Sequence, residues 1–138
     1  MNRADFQQLA EVRIREAQIL LDAGCYPGAY YLAGYTVECA LKACIARQTR
    51  EFDFPEKDFV NKSWTHKLEK LLNLAKLENR LNSDRRTSNE LDAYWAIVVN
   101  WQENKRYDLN VSQQEAKSLC DAIFDPANEV LQWLKKWW

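Results

Sequence analysis

The chain has 138 residues and a formal net charge of −1, and 28% of its residues are charged and 47% hydrophobic. These values are typical of a single globular domain over residues 1–138, and the small net charge gives no general electrostatic argument for a polyanionic partner. No run of about 18 apolar residues indicates a membrane span. The first residues also lack the apolar segment of a secretory signal. We therefore expect a cytoplasmic protein that does not enter a membrane.

The four cysteines, at positions 25, 39, 44 and 120, form no C-x-x-C pair. Three of them lie within apolar helical patterns, which favours small hydrophobic side chains in a reduced core. The chain has only one histidine, so a zinc site built from cysteine and histidine is not expected. The sequence predicts no metal and no cofactor.

The first predicted helix runs from about residue 4 to residue 23 and stops at Gly24, since glycine accepts the left-handed conformation that ends many helices. The second, from Pro27 to Arg47, is apolar or small on most of its circumference, which is typical of a helix buried by several neighbours. Pro27 suits a first helical turn. Because the connection is very short, these two helices are predicted to be antiparallel neighbours.

Residues 48–64 break the helical pattern and are predicted to form a long surface loop fixed by aromatic anchors. Those aromatic residues are Phe52, Phe54, Phe59 and Trp64. A third helix is predicted over residues 66–79, with a cap at Ser63 or Thr65. Residues 80–86 are polar and are predicted to be a connection.

Thr87 followed by Glu90 is a capping-box pattern, and it predicts a fourth helix that reaches about Trp101. A second capping box, at residues 112–115, begins a fifth helix, in which Pro126 marks a kink or a break. Trp137 and Trp138 at the end predict either folding back onto the bundle or packing against a second subunit. With no strand pattern, the predicted fold is all-α, a five-helix antiparallel up-and-down bundle.

Three segments together resemble the HEPN domain, a small α-helical nucleotide-associated domain. They are the stretch YYLAGYTVECALKACI at residues 30–45, the triplet HKL at residues 66–68, and a tryptophan leading to RYD at residues 106–108. The resemblance implies a helical bundle that forms a homodimer. It also implies one of two activities. One is a metal-independent endoribonuclease, marked by an arginine followed four to six residues later by a histidine; the other is a non-catalytic partner of small nucleotidyltransferases.

The sequence departs from the endoribonuclease pattern, because Asn110, Val111 and Ser112 occupy the positions where a histidine would follow Arg106. The single histidine precedes that arginine. An endoribonuclease would therefore lack its general base, and Tyr107 or Asp108 could replace it only with a strongly shifted pKa.

We therefore predict a non-catalytic nucleotide- or RNA-associated accessory module that partners a nucleotidyltransferase in a toxin–antitoxin or defence system. One alternative is an endoribonuclease toxin with an atypical site built on Arg106. The other is a dimeric assembly module without a ligand site.

The predicted nucleotide- or RNA-binding residues are Arg106, Tyr107, Lys42 and His66. A guanidinium group binds phosphate through two parallel hydrogen bonds, and a neighbouring tyrosine can stack on a base. His66 is predicted to lie one residue inside a helix, where bonding to a backbone group or a carboxylate is the simpler alternative.

Glu38 and Asp108 are predicted to be structural polar residues. Glu38 and Lys42 have the i,i+4 spacing of a helical ion pair. Glu38 could instead partner Arg106, which would make that arginine structural. Tyr31 and Tyr35 share one helix face and are predicted to lie in the core or in a dimer interface, with nucleobase stacking as the alternative.

Overall fold

The computed structural model of the protein describes residues 1–49, 54–124 and 129–138, which contain eight α-helices, one 3-10 helix and no strand. The α-helices are α1 (Arg3–Asp22), α2 (Tyr26–Gln48), α3 (Lys57–Lys62), α4 (Leu68–Leu74), α5 (Glu78–Thr87), α6 (Asn89–Val98), α7 (Gln113–Phe124) and α8 (Val130–Lys135); the 3-10 helix (Glu103–Tyr107) lies between α6 and α7. The all-α prediction is confirmed, but the count is eight helices rather than five. None of these helices is long and apolar enough to cross a membrane.

Helix α2 is the centre of the fold, as predicted. It packs against α1, α4, α7, α8 and the 3-10 helix. Alanines on its different sides are completely buried, among them Ala29, Ala33, Ala40 and Ala43. Because these side chains are small, the neighbouring helices approach the α2 backbone closely. Helix α2 is therefore the common packing partner of these five segments.

The predicted end of α1 is confirmed. Gly24 has a φ of +78°, and it follows Ala23, which ends the helix. The N–H of Gly24 donates to the carbonyl of Leu21 at 3.1 Å, and the N–H of Cys25 donates to the carbonyl of Leu20 at 2.8 Å. This pair of bonds closes the helix and satisfies its last carbonyl groups.

The predicted helix over residues 66–79 is wrong, because the chain breaks between α4 and α5. Lys76 adopts a φ of +58°. Its N–H donates to the carbonyl of Asn73 at 2.9 Å, and the N–H of Leu77 donates to that of Leu72 at 3.2 Å. Both leucines are buried, which supplies the apolar contact that accompanies this type of helix end. Helix α5 then occupies the segment predicted to be a polar connection.

The two predicted capping boxes have different outcomes. At the start of α6 the cap is Ser88, whose hydroxyl accepts from the N–H of Leu91 at 3.2 Å. The predicted cap at Thr87 is therefore wrong by one residue. At the start of α7 the hydroxyl of Ser112 accepts from the N–H of Glu115 at 3.1 Å, as predicted.

The predicted aromatic loop is only partly correct. Helix α3 lies within it, and Phe59 packs against the core. Phe54 is fully exposed and Trp64 is 75% exposed, so neither anchors the segment. The predicted anchor Phe52 and the predicted kink at Pro126 lie outside the described residues.

The C-terminal tryptophans fold back onto the bundle, which is one of the two predicted outcomes. Trp137 and Trp138 are half-buried against the core. The guanidinium of Arg80 lies 4.3 Å from the ring centroid of Trp137, and Arg3 donates to the backbone carbonyl of Trp138.

One thiol of the folded chain should react rapidly with a thiol reagent. Cys25 is exposed, whereas burial raises the pKa of Cys39 and Cys44 to about 12 and that of Cys120 to about 11. Because the thiolate is the reactive form, we expect one fast thiol in buffer and four in denaturant. Cys25→Ser should remove the fast phase, and a second fast thiol would contradict the buried positions.

Gly34→Ala should destabilise the fold. A Cβ atom at Gly34 would lie 2.2 Å from ring atoms of Trp101, which is itself buried. We expect a loss of about 1–3 kcal/mol in the free energy of unfolding from overpacking, larger than the gain of about 1 kcal/mol in helix propensity. Urea denaturation measures the difference.

The control is Gly28→Ala, whose added Cβ would meet only the end of the Leu20 side chain, at 3.2 Å. This variant should be as stable as the wild type or more stable. Equal stability of the two alanine variants would show that Trp101 does not pack tightly on α2.

Candidate functional site

One face of α2 carries two tyrosines, a glutamate and a lysine. Tyr31, Tyr35, Glu38 and Lys42 follow one another at spacings of four, three and four residues, which places them on one side of a helix. Both tyrosines and the lysine are half-buried, whereas Glu38 is buried. We call this set the α2 face.

The carboxylate of Glu38 contacts two side chains, the ammonium group of Lys42 and the imidazole ring of His66. It is 1% exposed, and its Oε1 lies 2.9 Å from Lys42 Nζ and 2.9 Å from His66 Nδ1. Its Oε2 is buried without a hydrogen-bond partner in the described part of the chain. The predicted Glu38–Lys42 ion pair is therefore present, and it satisfies a charge that would be costly to bury alone.

His66 does not lie inside a helix, as was predicted, but two residues before the first residue of α4. It bonds to a carboxylate, which was the simpler predicted alternative. An ionised carboxylate only accepts hydrogen bonds, so the contact with Glu38 requires a proton on Nδ1. The side chain is 48% exposed. In the neutral ring Nε2 is then the acceptor.

Three aromatic rings lie together at the other end of the α2 face. The ring centroid of Tyr31 is 6.1 Å from that of Tyr35, with the rings nearly parallel, and 6.1 Å from that of Trp101. Burial, followed by the nearby Cys39 and Glu38, raises the pKa of Tyr35 to about 12. Its hydroxyl therefore stays protonated at neutral pH.

Trp101 places the 3-10 helix, with Arg106 and Tyr107, beside these rings. The guanidinium of Arg106 lies 4.7 Å from the ring centroid of Tyr107, and its Nη1 is 2.6 Å from Glu103 Oε1. Hydrogen bonding to Tyr107 and then to Tyr31 raises the pKa of Arg106. The Arg106 side chain is 43% exposed. We call Arg106, Tyr107 and Tyr31 the arginine surface.

Arg106 does not pair with Glu38, so the contact that would have made this arginine a buried structural residue is absent. Its ion-pair partner Glu103 was not anticipated. An i,i+3 spacing within QENKRYD is the only signal for it, and this spacing is common on exposed helices.

Asp108 has the predicted structural role. Its Oδ1 accepts from the N–H of Asn110 at 2.9 Å, and its Oδ2 lies 3.2 Å from Lys105 Nζ. The first of these bonds, followed by that of Lys105, lowers the pKa of Asp108. A general base near neutral pH would need the opposite shift. Asp108 is thus a weaker proton acceptor than an ordinary aspartate.

The four predicted binding residues form two groups rather than one cleft. Arg106 and Tyr107 adjoin Tyr31, whereas Lys42 and His66 meet at Glu38, seven residues further along α2 and therefore roughly 10 Å away along its axis. Cavities of about 400, 590 and 360 Å³ occur in the described structure, and Arg106 lines none of the three. Within residues 1–49, 54–124 and 129–138, no group of three or more metal-ligating side chains is placed to hold an ion.

The model of the HEPN domain family matches residues 5–137, nearly the whole chain. The chain belongs to the HEPN family. Searches of curated proteins and of solved structures found no match. HEPN domains are in general associated with nucleotides or RNA, so the two groups of residues along the α2 face of this HEPN domain are the first places to look for such a ligand.

Glu38→Gln should destabilise this HEPN domain by about 1–3 kcal/mol, because it removes a buried charged acceptor from two donors. The matched control is Asp121→Asn. Asp121 forms an i,i+4 pair with Lys117 at 2.6 Å, but its side chain is 47% exposed. The control should change the free energy of unfolding by less than about 1 kcal/mol. Equal effects in urea denaturation would show that the buried pair contributes no more than a surface pair.

Proposed function

We propose that this HEPN domain is a non-catalytic nucleotide- or RNA-associated module that binds its ligand at the arginine surface. The observation that carries the proposal is the position of Arg106. Its guanidinium is half-exposed, lies against the exposed ring of Tyr107, and pairs with Glu103, whose side chain is 25% exposed. Because the guanidinium remains open to solvent, a phosphate group can reach it and replace Glu103.

The neighbouring rings supply the second part of such a site. Tyr107 is 73% exposed, and Tyr31 lies next to Arg106 with its ring stacked on Tyr35. A base stacked on an aromatic side chain contributes about 1–3 kcal/mol. A guanidinium bonded to phosphate and a ring in contact with the base together fit one nucleotide unit.

Lys42 and His66 are proposed as secondary contacts. Both are bonded to Glu38, so their positions are restrained and the charge of Lys42 is largely compensated. Their distance along α2 from Arg106 suits a neighbouring nucleotide of a strand better than the same one.

One observation favours the endoribonuclease alternative. His66 Nδ1 bonds to a buried carboxylate, and a carboxylate that orients a histidine in this way is a common feature of general bases. Against it, His66 is bonded to Glu38, which lies about two helical turns along α2 from Tyr31, the α2 residue beside Arg106. The assembly-module alternative depends on an Arg106–Glu38 contact, and Arg106 pairs with Glu103 instead.

The proposal includes a homodimer and a nucleotidyltransferase partner in a toxin–antitoxin or defence system. Family membership is the one observation that supports either of them. Light scattering of the purified chain, with and without a candidate nucleotidyltransferase, measures the two assemblies directly.

Arg106→Ala should weaken nucleotide binding about tenfold or more, as expected for loss of a charged hydrogen bond. Glu103→Gln should strengthen binding, because it removes the side chain that competes with phosphate. Calorimetry with nucleoside monophosphates and short single-stranded RNA measures both changes. Arg85→Ala is the control, since Arg85 forms a comparable pair with Asp92 at 2.7 Å on other helices.

The same proteins should be incubated with RNA without added metal. We expect no cleavage. Cleavage that disappears in Arg106→Ala would establish the endoribonuclease alternative, and unchanged binding by Arg106→Ala would remove Arg106 from the ligand site.

A further inference from the structure

One of the three cavities lies between the end of α3 and helix α4, and it contains no residue of the arginine surface. Its volume is about 590 Å³, within the range of small-molecule sites. The residues that line it include Asn61, Lys62, Trp64, Lys70, Asn73 and Leu74. None of the described residues that line it is acidic. We call it the Trp64 cavity.

Trp64 differs from the other tryptophans of the chain. Its side chain is 75% exposed, whereas the other five, at positions 95, 101, 133, 137 and 138, are buried or half-buried. A single exposed apolar side chain is common in folded chains, but this ring borders a cavity. It provides an aromatic plane that a flat ligand can cover.

The segment that carries Trp64 forms hydrogen bonds on both sides of it. Before it, the hydroxyl of Ser63 donates to the carbonyl of Val60 at 2.6 Å, and the N–H of Trp64 donates to the carbonyl of Asn61 at 3.3 Å. Two residues after it, His66 is bound to the buried Glu38. The exposed ring therefore belongs to a segment with hydrogen bonds on both sides, one of them to α2, and a segment restrained in this way loses less conformational entropy on binding.

The lining residues indicate the charge of the ligand. Lys62 pairs with Asp58 at 3.0 Å, but both side chains are more than 60% exposed, so the pair is weak and exchangeable. Lys70 forms no ion pair with any residue in the described part of the chain. Two ammonium groups, of which only Lys62 has a carboxylate partner among the described residues and that partner is exposed, favour an anion.

The amide side chains of Asn61 and Asn73 complete the wall. Each offers both a donor and an acceptor, which suits the edge of a heterocyclic base. The ligand that matches an aromatic plane, two ammonium groups and two amides is planar, carries negative charge and has both donors and acceptors along its edge.

We propose that the Trp64 cavity binds a nucleobase–phosphate unit, with the base stacked on Trp64 and the phosphate held by Lys70 and Lys62. This goes beyond the proposed function, because the cavity shares no residue with the arginine surface. The unit is present both in a free nucleoside monophosphate and in a single-stranded oligonucleotide, so the two sources are tested separately.

The test is a titration of the nitrogen-15-labelled full chain with adenosine monophosphate and, separately, with an adenosine octanucleotide. The indole N–H signal of Trp64 is assigned as the one that Trp64→Phe removes. We expect this signal to shift with at least one ligand. Trp64→Ala should weaken binding about tenfold or more, and Trp64→Phe should weaken it less. Lys70→Gln should weaken binding and reduce its dependence on salt concentration.

Phe54→Ala is the matched control, since Phe54 is fully exposed and does not line the cavity. It should bind as the wild type does. Because Trp64 is exposed, its alanine variant should melt at the same temperature as the wild type. A shift with the monophosphate identifies a single-nucleotide site, and a shift with the octanucleotide alone identifies a strand site; either outcome supports the proposal.

Three results would overturn it: an unchanged Trp64 signal with both ligands, wild-type affinity in Trp64→Ala, or a change of oligomeric state in Trp64→Ala without a change in affinity.

The Arg106→Ala variant distinguishes binding at the Trp64 cavity from binding at the arginine surface. If it abolishes all binding while Trp64→Ala does not, the cavity proposal fails and the arginine surface stands. If Trp64→Ala alone abolishes binding, the arginine surface fails and the cavity proposal stands.

Discussion

A carboxylate enclosed in a helical core is unfavourable by several kcal/mol unless cations and hydrogen bonds compensate it, and Glu38 is in this position. Lys42 compensates it from within α2, and His66 does so from the segment before α4. The second contact joins parts of the chain that are 28 residues apart. The buried carboxylate of Glu38 thus also positions the segment of residues 63–67, because His66 in that segment bonds to it. Trp64 is exposed, but it lies two residues from this contact.

The same helix fixes the arginine surface through a different interaction. Gly34 leaves space for the ring of Trp101, which packs directly on the α2 backbone. The 3-10 helix begins two residues later and brings Arg106 next to Tyr31. Tight packing of a large ring on a glycine leaves little room for the following residues to move. The two candidate surfaces are therefore both positioned by α2, one through a buried ion and the other through a close apolar contact.

Sequence patterns predicted the parts of this fold that depend on local chemistry. The end of α1 at Gly24, the central position of α2, the Glu38–Lys42 pair and the Ser112 cap each follow from neighbouring residues along the chain. The break at Lys76 could not be predicted in this way, because a lysine takes the left-handed position that usually belongs to glycine. Burial of Leu72 and Leu77 stabilises that turn, and burial is a property of the folded chain.

Helix α5 shows the same limit. Its only buried residue is Leu81, too little for a periodic signal. Contacts from the C-terminal region stabilise it instead: the indole of Trp133 donates to Asp84 at 2.7 Å, and Arg80 lies over Trp137.

The sequence likewise predicted only part of the candidate site. The residues were chosen from a resemblance to the HEPN domain, and their division into two groups depends on distances along α2 that the resemblance does not contain. The Trp64 cavity was missed because an exposed tryptophan and a buried one have the same sequence signal.

Charge compensation constrains what either surface can bind. At the arginine surface, Arg106 and Lys105 each have an acidic neighbour, in Glu103 and Asp108. A polyanion approaching from a distance therefore meets little net positive potential, in keeping with the chain's net charge of −1. Binding must come from short-range exchange, in which a phosphate replaces a carboxylate and a base covers a ring. Such exchange favours a well-placed nucleotide unit over any strand that happens to be negatively charged. The Trp64 cavity differs in having Lys70, which forms no ion pair among the described residues, and in having a Lys62–Asp58 pair whose two side chains are both more than 60% exposed. Phosphate binding there displaces only a weak surface ion pair.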